Sequence, residues 1–323
     1  MVAKRGGPGD VRLMVRVAQM YYRMQLSQEQ IGERLGMSRF QVGRMLDRAL
    51  REGIVRIEIV HPDARLMDLE ESLETRFGLR DAVVVDVPNS ASGLAAQELA
   101  REAVAAAAAD LLAELAPGGA IGVSWGRTML ELARLLRPGW TKAAEIVQLN
   151  GATSRSPLPT RANEIAERFG TTTGASIRLL AAPAIVGSAE LRVALEEDPA
   201  VGETLDAARQ TSLAVFGLGV LTRDSVLVGS GYLAEQDLAD LTAAGAVGDV
   251  IGRFLTVDGS LALPELDERT VGMPLDELAN GRVSMGLAAG SGRGPIALAA
   301  LRAGCVNMLV ADAGTAEWVL AHG

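Results

Sequence analysis

Most of this chain, from Gly78 onward, alternates short apolar segments with stretches of helical periodicity. The apolar segments are continuous runs, which are typical of strands buried on both faces. Strands of this kind, separated by helices, form a parallel sheet covered on both sides. The sequence therefore predicts an α/β domain, with helices at residues 94–115 and 128–136. The predicted strands are residues 81–87 and 119–124 and the segments EIVQLNG, IRLLAAPAIV, SLAVFGLG and CVNMLVAD.

A different pattern occupies residues 26–52, where two short amphipathic helices meet at a Gly-Met turn. Ser27 and Ser38 are each followed three residues later by a glutamine, which fits the capping box at the start of a helix. Gly36 falls where a left-handed residue would end the first helix. The pattern predicts a helix-turn-helix. Its buried stripes are predicted to be Ile31 and Leu35, then Val42, Met45, Leu46 and Ala49.

The second helix carries polar and basic side chains opposite its apolar stripe. This layout is typical of a helix that enters the major groove of DNA, although amphipathic helix pairs also occur in folds that bind no DNA. We expect Phe40, Gln41 and Arg44 to face base edges. The predicted DNA-contacting residues are Ser38, Arg39, Phe40, Gln41, Arg44, Arg48 and Arg51.

Charge separates the two ends of the chain. Residues 1–60 contain eleven Lys or Arg and six Asp or Glu, whereas the rest contains twenty and thirty-four. A basic end on an acidic chain indicates a localised contact with phosphates. Helical spacing over residues 10–25 predicts a supporting helix, and the alternation in residues 54–62 predicts a strand or wing before Pro62. We therefore predict an all-α, winged-helix-like DNA-binding domain at residues 1–60 and an effector domain at residues 61–323.

Residues 64–77 have the pattern of one more amphipathic helix, with Leu66, Leu69, Leu73 and Phe77 on one side. A stripe this short specifies no partner. It fits packing within its own domain and a dimer contact equally well.

Composition limits the chemistry. The single cysteine, Cys305, allows no intramolecular disulfide and fits a reducing cytoplasm, where we expect the protein. Its apolar context favours a buried thiol over a nucleophile. With two histidines, His61 and His322, a zinc site is not expected, and no metal or cofactor is predicted. No uncharged apolar run approaches membrane-spanning length.

The segment GVSWGRT predicts an anion site. A strand ends at Ser124, a tight turn follows, and Thr128 opens a helix whose free amides and positive dipole end favour an anion. Hydroxyl donors and the guanidinium of Arg127 would add to it, at the strand end where ligands of α/β sheets bind. The segment matches neither the dinucleotide fingerprint nor the nucleotide P-loop. The alternative is a strand–helix connection with no ligand.

Nearly the whole chain resembles the SorC-type, sugar-responsive transcriptional regulators of bacteria. The motifs that carry the resemblance are the amino-terminal helix-turn-helix, GVSWGRT, QLNG with RANEIA, LLAAPAIV, FGLG, GAVGDVIGRF, and the region from VGMPLDEL to NMLVADAGTAEWVL. It implies a Rossmann-like effector domain, similar in fold to sugar-phosphate isomerases and glucosamine-phosphate deaminases. Such a domain would bind a phosphorylated sugar, and the chain would assemble as a homodimer or homotetramer that binds double-stranded operator DNA.

The resemblance also implies the effector-binding residues. Asp249 would accept hydrogen bonds from sugar hydroxyls, unless it is the N-cap of a helix. Arg293 stands where the family often has lysine; arginine keeps the positive charge but forms no Schiff base. The implied residues are Ser124, Gly126, Arg127, Thr128, Arg161, Asn163, Asp249 and Arg293.

Three functions fit these features. An effector-controlled DNA-binding regulator explains the basic amino terminus and the anion loop together. A sugar-phosphate isomerase or deaminase with an added amino-terminal domain rests on fold analogy and needs a positioned acid or base, and we assign no catalytic residue. A purely structural DNA-binding protein leaves the α/β domain unexplained.

Overall fold

The computed structural model describes residues 8–24, 26–51, 54–55, 66–87, 93–153 and 160–323. The chain divides into two compact units, Met1–His61 and Pro62–Gly323. No helix in the described part of the chain has the length and apolarity needed to cross a membrane.

The first unit is helical in its described residues. Val17, Ile31 and Val42, one on each of its three helices, are fully buried and belong to its core. The helix predicted at residues 10–25 is present, but its last part is a π-helix, Gln19–Arg23. Of the predicted wing, residues 54–62, only residues 54 and 55 lie within the described part, and both are in bends. The helices are α1 (Pro8–Ala18), α2 (Gln28–Leu35) and α3 (Arg39–Arg51).

The second unit is built on a sheet whose seven main strands are all parallel, in the order β1-β9-β8-β5-β2-β3-β4. The end of β5 also pairs with an antiparallel hairpin, β6–β7. The strands are β1 (Asp81–Val85), β2 (Gly119–Val123), β3 (Ala143–Gln148), β4 (Ser176–Arg178), β5 (Leu213–Val220), β6 (Ala246–Val250), β7 (Arg253–Thr256), β8 (Val283–Ala288) and β9 (Met308–Asp312).

Successive residues of each strand point to opposite sides of the sheet, so apolar side chains lie on both faces. Helices cover both of these faces. On β5, Leu213 and Val215 pack in one core cluster, and Ala214 and Phe216 pack in the other. This is the predicted α/β arrangement. The helices are α4 (Met67–Phe77), α5 (Leu94–Leu115), α6 (Arg127–Leu135), α7 (Ala162–Thr173), α8 (Ala189–Glu197), α9 (Pro199–Arg209), α10 (Val226–Gly229), α11 (Glu235–Ala243), α12 (Pro264–Asp267), α13 (Leu275–Leu278), α14 (Gly294–Arg302) and α15 (Ala313–His322).

Helix α4 covers the edge strand β1 of its own unit. The backbone amides of Ala82 and Val84 donate to carboxylate oxygens of Glu74 and Glu70, at 3.0 and 2.8 Å. Leu73 is fully buried in the adjoining core cluster, and the other three residues of the stripe pack against that cluster. Of the two interpretations of this stripe, packing within its own domain is therefore the one observed.

Other expectations differ from the structure. Strands β6, β7 and β8 were not predicted, because β6 and β8 contain Gly, Asp or Ser between the apolar residues and β7 has only two apolar residues. The segment IRLLAAPAIV contributes only the short strand β4. Asp249 lies within β6, so its interpretation as a helix N-cap is wrong.

Candidate functional site

Each of α2 and α3 begins with a capping box. The amide of Gln30 donates to Ser27 Oγ at 3.2 Å, and the amide of Ser27 donates to Gln30 Oε1 at 3.0 Å. Gln41 and Ser38 make the same reciprocal pair at 3.3 and 2.8 Å. Gly36 ends α2 with a φ of 68°. The predicted caps and the left-handed glycine are confirmed.

The residues predicted to contact DNA lie at the start of α3 or on its solvent-facing side. Phe40 is 83% exposed, so its ring does not pack in the core of the unit. Val42, Leu46 and Ala49 on the opposite side are buried. Arg48 is half-buried. The other predicted DNA-contacting residues are exposed, namely Ser38, Arg39, Gln41, Arg44 and Arg51.

Gln41 has two assigned roles that compete. Its Oε1 accepts the hydrogen bond from the Ser38 amide that closes the capping box. A glutamine that reads adenine uses both its carbonyl oxygen and its amide nitrogen. In the capped conformation one acceptor position of Gln41 Oε1 is occupied, and its second lone pair and the amide nitrogen remain for a base edge.

The second unit contains a cleft at the carboxyl ends of β2 and β5. Chain order reverses between these strands, since β2 leads to β3 on one side and β5 leads to β8 on the other. Ligands of open α/β sheets bind at such a reversal. The cleft and the open solvent at its mouth together enclose about 650 Å³. Its described lining is Ser124, Trp125, Gly126, Arg127, Thr128, Met129, Asn150, Gly217, Leu218, Gly219, Val220, Ser225, Val226, Leu227, Asp249, Ile251, Gly252 and Arg293.

One wall of the cleft is the loop from Ser124 to Thr128. Gly126, with a φ of 137°, is the N-cap of α6 and provides no side-chain hydrogen bond. The first amides of α6 therefore have no capping side chain, and the positive end of the helix dipole lies beside them. Thr128 is buried next to these amides. This arrangement suits a phosphate or another anion.

A buried polar pair supports this loop from behind. The Ser124 hydroxyl donates to Asn150 Oδ1 at 2.9 Å, and Asn150 Nδ2 donates to the Ile251 carbonyl at 3.3 Å. Asn150 is 1% exposed. The pair joins the ends of β2 and β3 to the β6–β7 turn. Because the Ser124 proton is used here, the hydroxyl oxygen is left as an acceptor.

Asp249 lies across the cleft on β6, directly opposite Gly219 of β5. A Cβ at position 219 would lie 2.0 Å from Asp249 Oδ1, so the carboxylate fits only because this residue is glycine. The Gly252 amide donates to Asp249 Oδ2 at 2.9 Å. Close burial by protein atoms raises the pKa of Asp249 to about 6, and the hydrogen bond from Gly252 opposes the rise only in part.

The turn beyond Asp249 has an unusual backbone. Ile251 has a φ of 48° and Gly252 a φ of 90°, as a tight hairpin turn requires. A β-branched residue adopts positive φ only with strain, and such strain is found at ligand sites. Ile251 is buried and lines the cleft, so this turn fixes one of its walls.

Two arginines border the anion-binding side. Arg127 is exposed and donates from Nη2 to the Asp224 carbonyl at 2.5 Å. Arg293, at the N-cap of α14, is half-buried, and burial lowers its pKa to about 10. The charges of Arg101 and Arg127 contribute to this lowering, and the charge of Asp312 opposes it. Arg293 therefore stays positively charged near neutral pH.

Several known proteins are similar to this chain in sequence and structure. The deoxyribonucleoside regulator of Bacillus subtilis is 31% identical over 95% of this chain and 96% of its own length. The transcriptional regulator LsrR of Klebsiella pneumoniae is 32% identical over 97% of this chain and 94% of its own length. The full-length sorbitol operon regulator SorC of Klebsiella pneumoniae matches 97% of this chain and 99% of its own, with a TM-score of 0.68 and 29% identity.

The family profile described as "Putative sugar-binding domain" matches residues 61–321. The chain belongs to the SorC-type family of sugar-binding transcriptional regulators. The mixed α/β fold with a parallel sheet and a helical amino-terminal region is shared with the SorC structure.

In this SorC-type chain, six of the eight residues implied by the resemblance line one cleft, namely Ser124, Gly126, Arg127, Thr128, Asp249 and Arg293. Arg161 and Asn163 are not among its lining residues. Arg161 is exposed and pairs with Glu164 at 2.8 Å, and Asn163 is exposed on α7. Their role in effector binding stays a prediction.

The sequence-based assignment missed Asn150, although a signal for it was present. Asn150 lies two residues beyond the end of β3, and Ser124 directly follows β2. The carboxyl ends of these neighbouring parallel strands meet at one edge of the sheet. Trp125 was also missed. Its ring stacks on Tyr232 with centroids 6.4 Å apart, and its Nε1 donates to the Gly151 carbonyl at 3.0 Å. Among the described residues, no group of His, Cys, Asp or Glu side chains could hold a metal ion.

Proposed function

We propose that this SorC-type regulator binds a DNA operator through α3, with an affinity controlled by a phosphorylated sugar in the cleft. The observation that carries the proposal is that the Ser124–Thr128 loop, Arg293 and Asp249 converge on one cleft. The loop amides and a guanidinium suit the phosphate. The Asp249 carboxylate, on the opposite wall, suits sugar hydroxyls as an acceptor.

The DNA-binding part of the proposal is supported by α3. Its outer face exposes Phe40, Arg44 and Arg51, while its inner face is packed in the core of the unit. Two helices joined by a short turn, with the second exposed in this way, suit major-groove binding. The relatives are named transcriptional regulators, which agrees with this role.

Control of DNA binding requires the ligand to distinguish two conformations. A sugar phosphate that bound both equally would leave the affinity for the operator unchanged, however tight its binding. We therefore propose that closure of the cleft around the ligand favours one of two conformations that differ in affinity for DNA.

A sugar-phosphate isomerase or deaminase is the less supported alternative. Asp249 is the one carboxylate among the described residues that line the cleft, and no histidine is among them. Aldose–ketose chemistry needs an acid or base positioned at the substrate. The named functions of the relatives also favour regulation over catalysis.

The test is operator binding by the full chain, titrated with a panel of sugar phosphates. The active compound should change the affinity of wild type for the operator. Arg127→Ala combined with Arg293→Ala should abolish this response while binding without sugar is kept, and Thr128→Ala should weaken the response. Arg134→Ala, on the same helix as Arg127 and paired with Glu131, is the matched control. A full response from the double variant would contradict the proposed site.

A further inference from the structure

Gln28 is a polar side chain in the apolar stripe of α2. The side of this helix that faces the core of the first unit consists of positions 28, 31, 32 and 35, which recur at helical spacing. Ile31 and Gly32 are buried and Leu35 packs against the core, whereas Gln28 is half-buried. The carboxamide of Gln28 has no hydrogen-bond partner among the described residues. Its donor and acceptor groups are therefore available to a partner outside the unit.

Helix α3 leaves room for this side chain at Gly43. The φ of Gly43 is not positive, so the backbone does not require glycine, and glycine inside a helix is destabilising relative to alanine. The three atoms nearest to a Cβ at this position all belong to the Gln28 carboxamide, with Oε1 at 3.3 Å, Cδ at 3.8 Å and Nε2 at 3.9 Å. The carboxamide of Gln28 therefore lies against the bare backbone of α3.

This contact lies at the border of the surface that we propose to enter the major groove. Gly43 directly precedes Arg44 and is a neighbour of Phe40 on the helix surface, and both of these side chains are exposed. In a helix-turn-helix the second helix lies in the groove and the first helix crosses the phosphate backbone. Gln28, in the first turn of α2, is therefore placed between the groove and the backbone of the DNA.

The start of α2 offers a phosphate neutral donors and no positive side chain. Residues 27–33 contain neither Lys nor Arg, and Glu29 in the first turn is exposed. Glutamine side chains bind phosphate oxygens in protein–DNA complexes and fix the position of the protein on the duplex without reading its sequence. Because counterions are released when Lys or Arg neutralises a phosphate, a glutamine contact adds little to the salt dependence of binding.

We propose that Gln28 donates a hydrogen bond from Nε2 to a backbone phosphate of the operator and so fixes the position of α3 in the major groove. Gly43 holds the carboxamide in place by leaving the space that a side chain on α3 would fill. This inference rests on the proposed function, since it extends the DNA contact of α3 to α2. It adds a neutral contact to the arginines predicted to bind phosphates.

The test uses the full chain and a DNA duplex that wild type selects from a randomised library. Gln28→Met fills a similar volume and has a similar helix propensity, so it should keep the stability of wild type. It should bind the duplex roughly tenfold more weakly, as expected for a lost hydrogen bond to a charged group. The slope of log affinity against log salt concentration should not change, whereas Arg51→Ala should flatten it. Wild-type affinity in Gln28→Met would overturn the inference.

Gln28→Glu separates a contact from a general effect of charge. The variant should not lose stability, because a negative charge is favourable at the start of a helix. Its affinity for DNA should fall by at least roughly tenfold, since the carboxylate would lie beside the phosphate. Gln30→Glu is the matched control, because position 30 points to another side of α2 and a glutamate there still accepts from the Ser27 amide. Equal losses in the two variants would contradict a contact at Gln28.

Methylphosphonate substitution of the duplex identifies the phosphate itself. Each modified duplex replaces one backbone phosphate by a neutral group, and wild type and Gln28→Met are compared on the whole series. At one position in each half-site the substitution should weaken wild type and leave Gln28→Met unchanged, because that variant has already lost the contact. If no position distinguished the two proteins, Gln28 would not contact a phosphate.

Gly43→Ala tests the part assigned to α3. The added methyl group should shift the Gln28 carboxamide by a few tenths of an ångström and weaken DNA binding several-fold, with the stability of wild type. In the background of Gln28→Ala the same change should have no effect, because no carboxamide is left to shift. Equal losses in both backgrounds would show that Gly43 does not act through Gln28 and would overturn its assigned role.

Failure of the proposed function would give a different result from failure of this inference. If the chain did not bind DNA through α3, wild type would select no duplex, or Arg44→Ala would bind the selected duplex like wild type. If only the inference failed, Arg44→Ala would still weaken binding and Gln28→Met would not.

Discussion

Asp249 is an acid placed where its charged form is poorly solvated. Its pKa of about 6 in the folded protein lies above the ordinary value of 3.8. Between these two pH values, Asp249 is therefore protonated in the folded protein and ionised in the unfolded chain. The free energy of unfolding must then fall as pH rises from about 4 to about 6. A sugar hydroxyl that donates to the carboxylate would favour its charged form and lower this pKa.

We predict that Asp249→Asn removes this pH dependence. Relative to wild type, the variant should gain up to about 3 kcal/mol between pH 4 and pH 7, the equivalent of a shift of about two pKa units. Urea unfolding of both proteins at pH 4.5 and pH 7 measures the difference, because the other titrating groups are common to both. An equal difference at both pH values would contradict the assignment.

Two glycine variants on β5 test whether this pH dependence comes from Asp249. Gly219→Ala would place a methyl group against the Asp249 carboxylate, which should turn away and lose its elevated pKa; sugar phosphate binding should weaken with it. Gly217→Ala has no atom within 4 Å of the new methyl group, so it should keep the pH dependence of wild type. The same result from both variants would show that the effect is not specific to Asp249.

Arg44 is the residue on α3 for which we predict a contact with a guanine base. Arg44→Ala should cost on the order of 1–3 kcal/mol of operator binding and relax the preference at one base pair, because a guanine contact is lost. Arg51→Ala should weaken all sequences alike and flatten the salt dependence, as a phosphate contact would. Binding to the operator and to point-mutated operators at several salt concentrations separates the two. Unchanged affinity and selectivity in Arg44→Ala would contradict this role.

At the level of elements, the turn between α2 and α3 depends on close backbone approach. A Cβ at Gly32 would lie 2.4 Å from the Met37 carbonyl oxygen, and backbone cannot move aside cheaply. We predict that Gly32→Ala destabilises the first unit by about 1–3 kcal/mol and weakens DNA binding, while sugar phosphate binding is kept. Thermal unfolding and operator titration test this.

Gly43→Ala is the matched control on α3. Its added methyl group would lie 3.3 Å from the end of the flexible Gln28 side chain, which can move. This variant should resemble wild type in stability. If Gly32→Ala also resembled wild type, the geometry of the turn would not depend on glycine.

The elements that could be predicted were those with strong local patterns. The long alanine-rich helix α5 has the predicted bounds, Leu94–Leu115, because nothing in the segment interrupts its periodicity. The hairpin β6–β7 could not be predicted, since AVGDV and RFLT contain Asp, Gly and Arg among few apolar residues. The pairing of β6 with β5, which brings Asp249 to the cleft, joins strands that are distant in sequence.

The site could be predicted only in part, because only some of its residues lie close together in the sequence. The loop Ser124–Thr128 is local, and its residues could be named from the sequence. Asn150 was missed because its role comes from contacts with Ser124 and Ile251, on two other segments.

At the level of the whole molecule, we predict at least a dimer, because two-fold symmetric DNA readers bind paired half-sites. The α4 stripe packs within its own unit, and the use of this helix as a dimer contact stays a prediction. Light scattering of the free protein and of its operator complex measures the state. A monomer under both conditions would contradict the prediction.

The claim that sugar phosphate and DNA binding are coupled has a strict thermodynamic consequence. If the sugar changes operator affinity by some factor, operator DNA must change sugar affinity by the same factor. The direct measurement is calorimetric titration of the full chain with the active sugar phosphate, with and without saturating operator. For wild type, we predict that the operator changes sugar affinity by the same factor by which the sugar changes operator affinity. For the double variant Arg127→Ala with Arg293→Ala, this factor should be one. Sugar affinity that is identical with and without the operator in wild type would contradict the coupling.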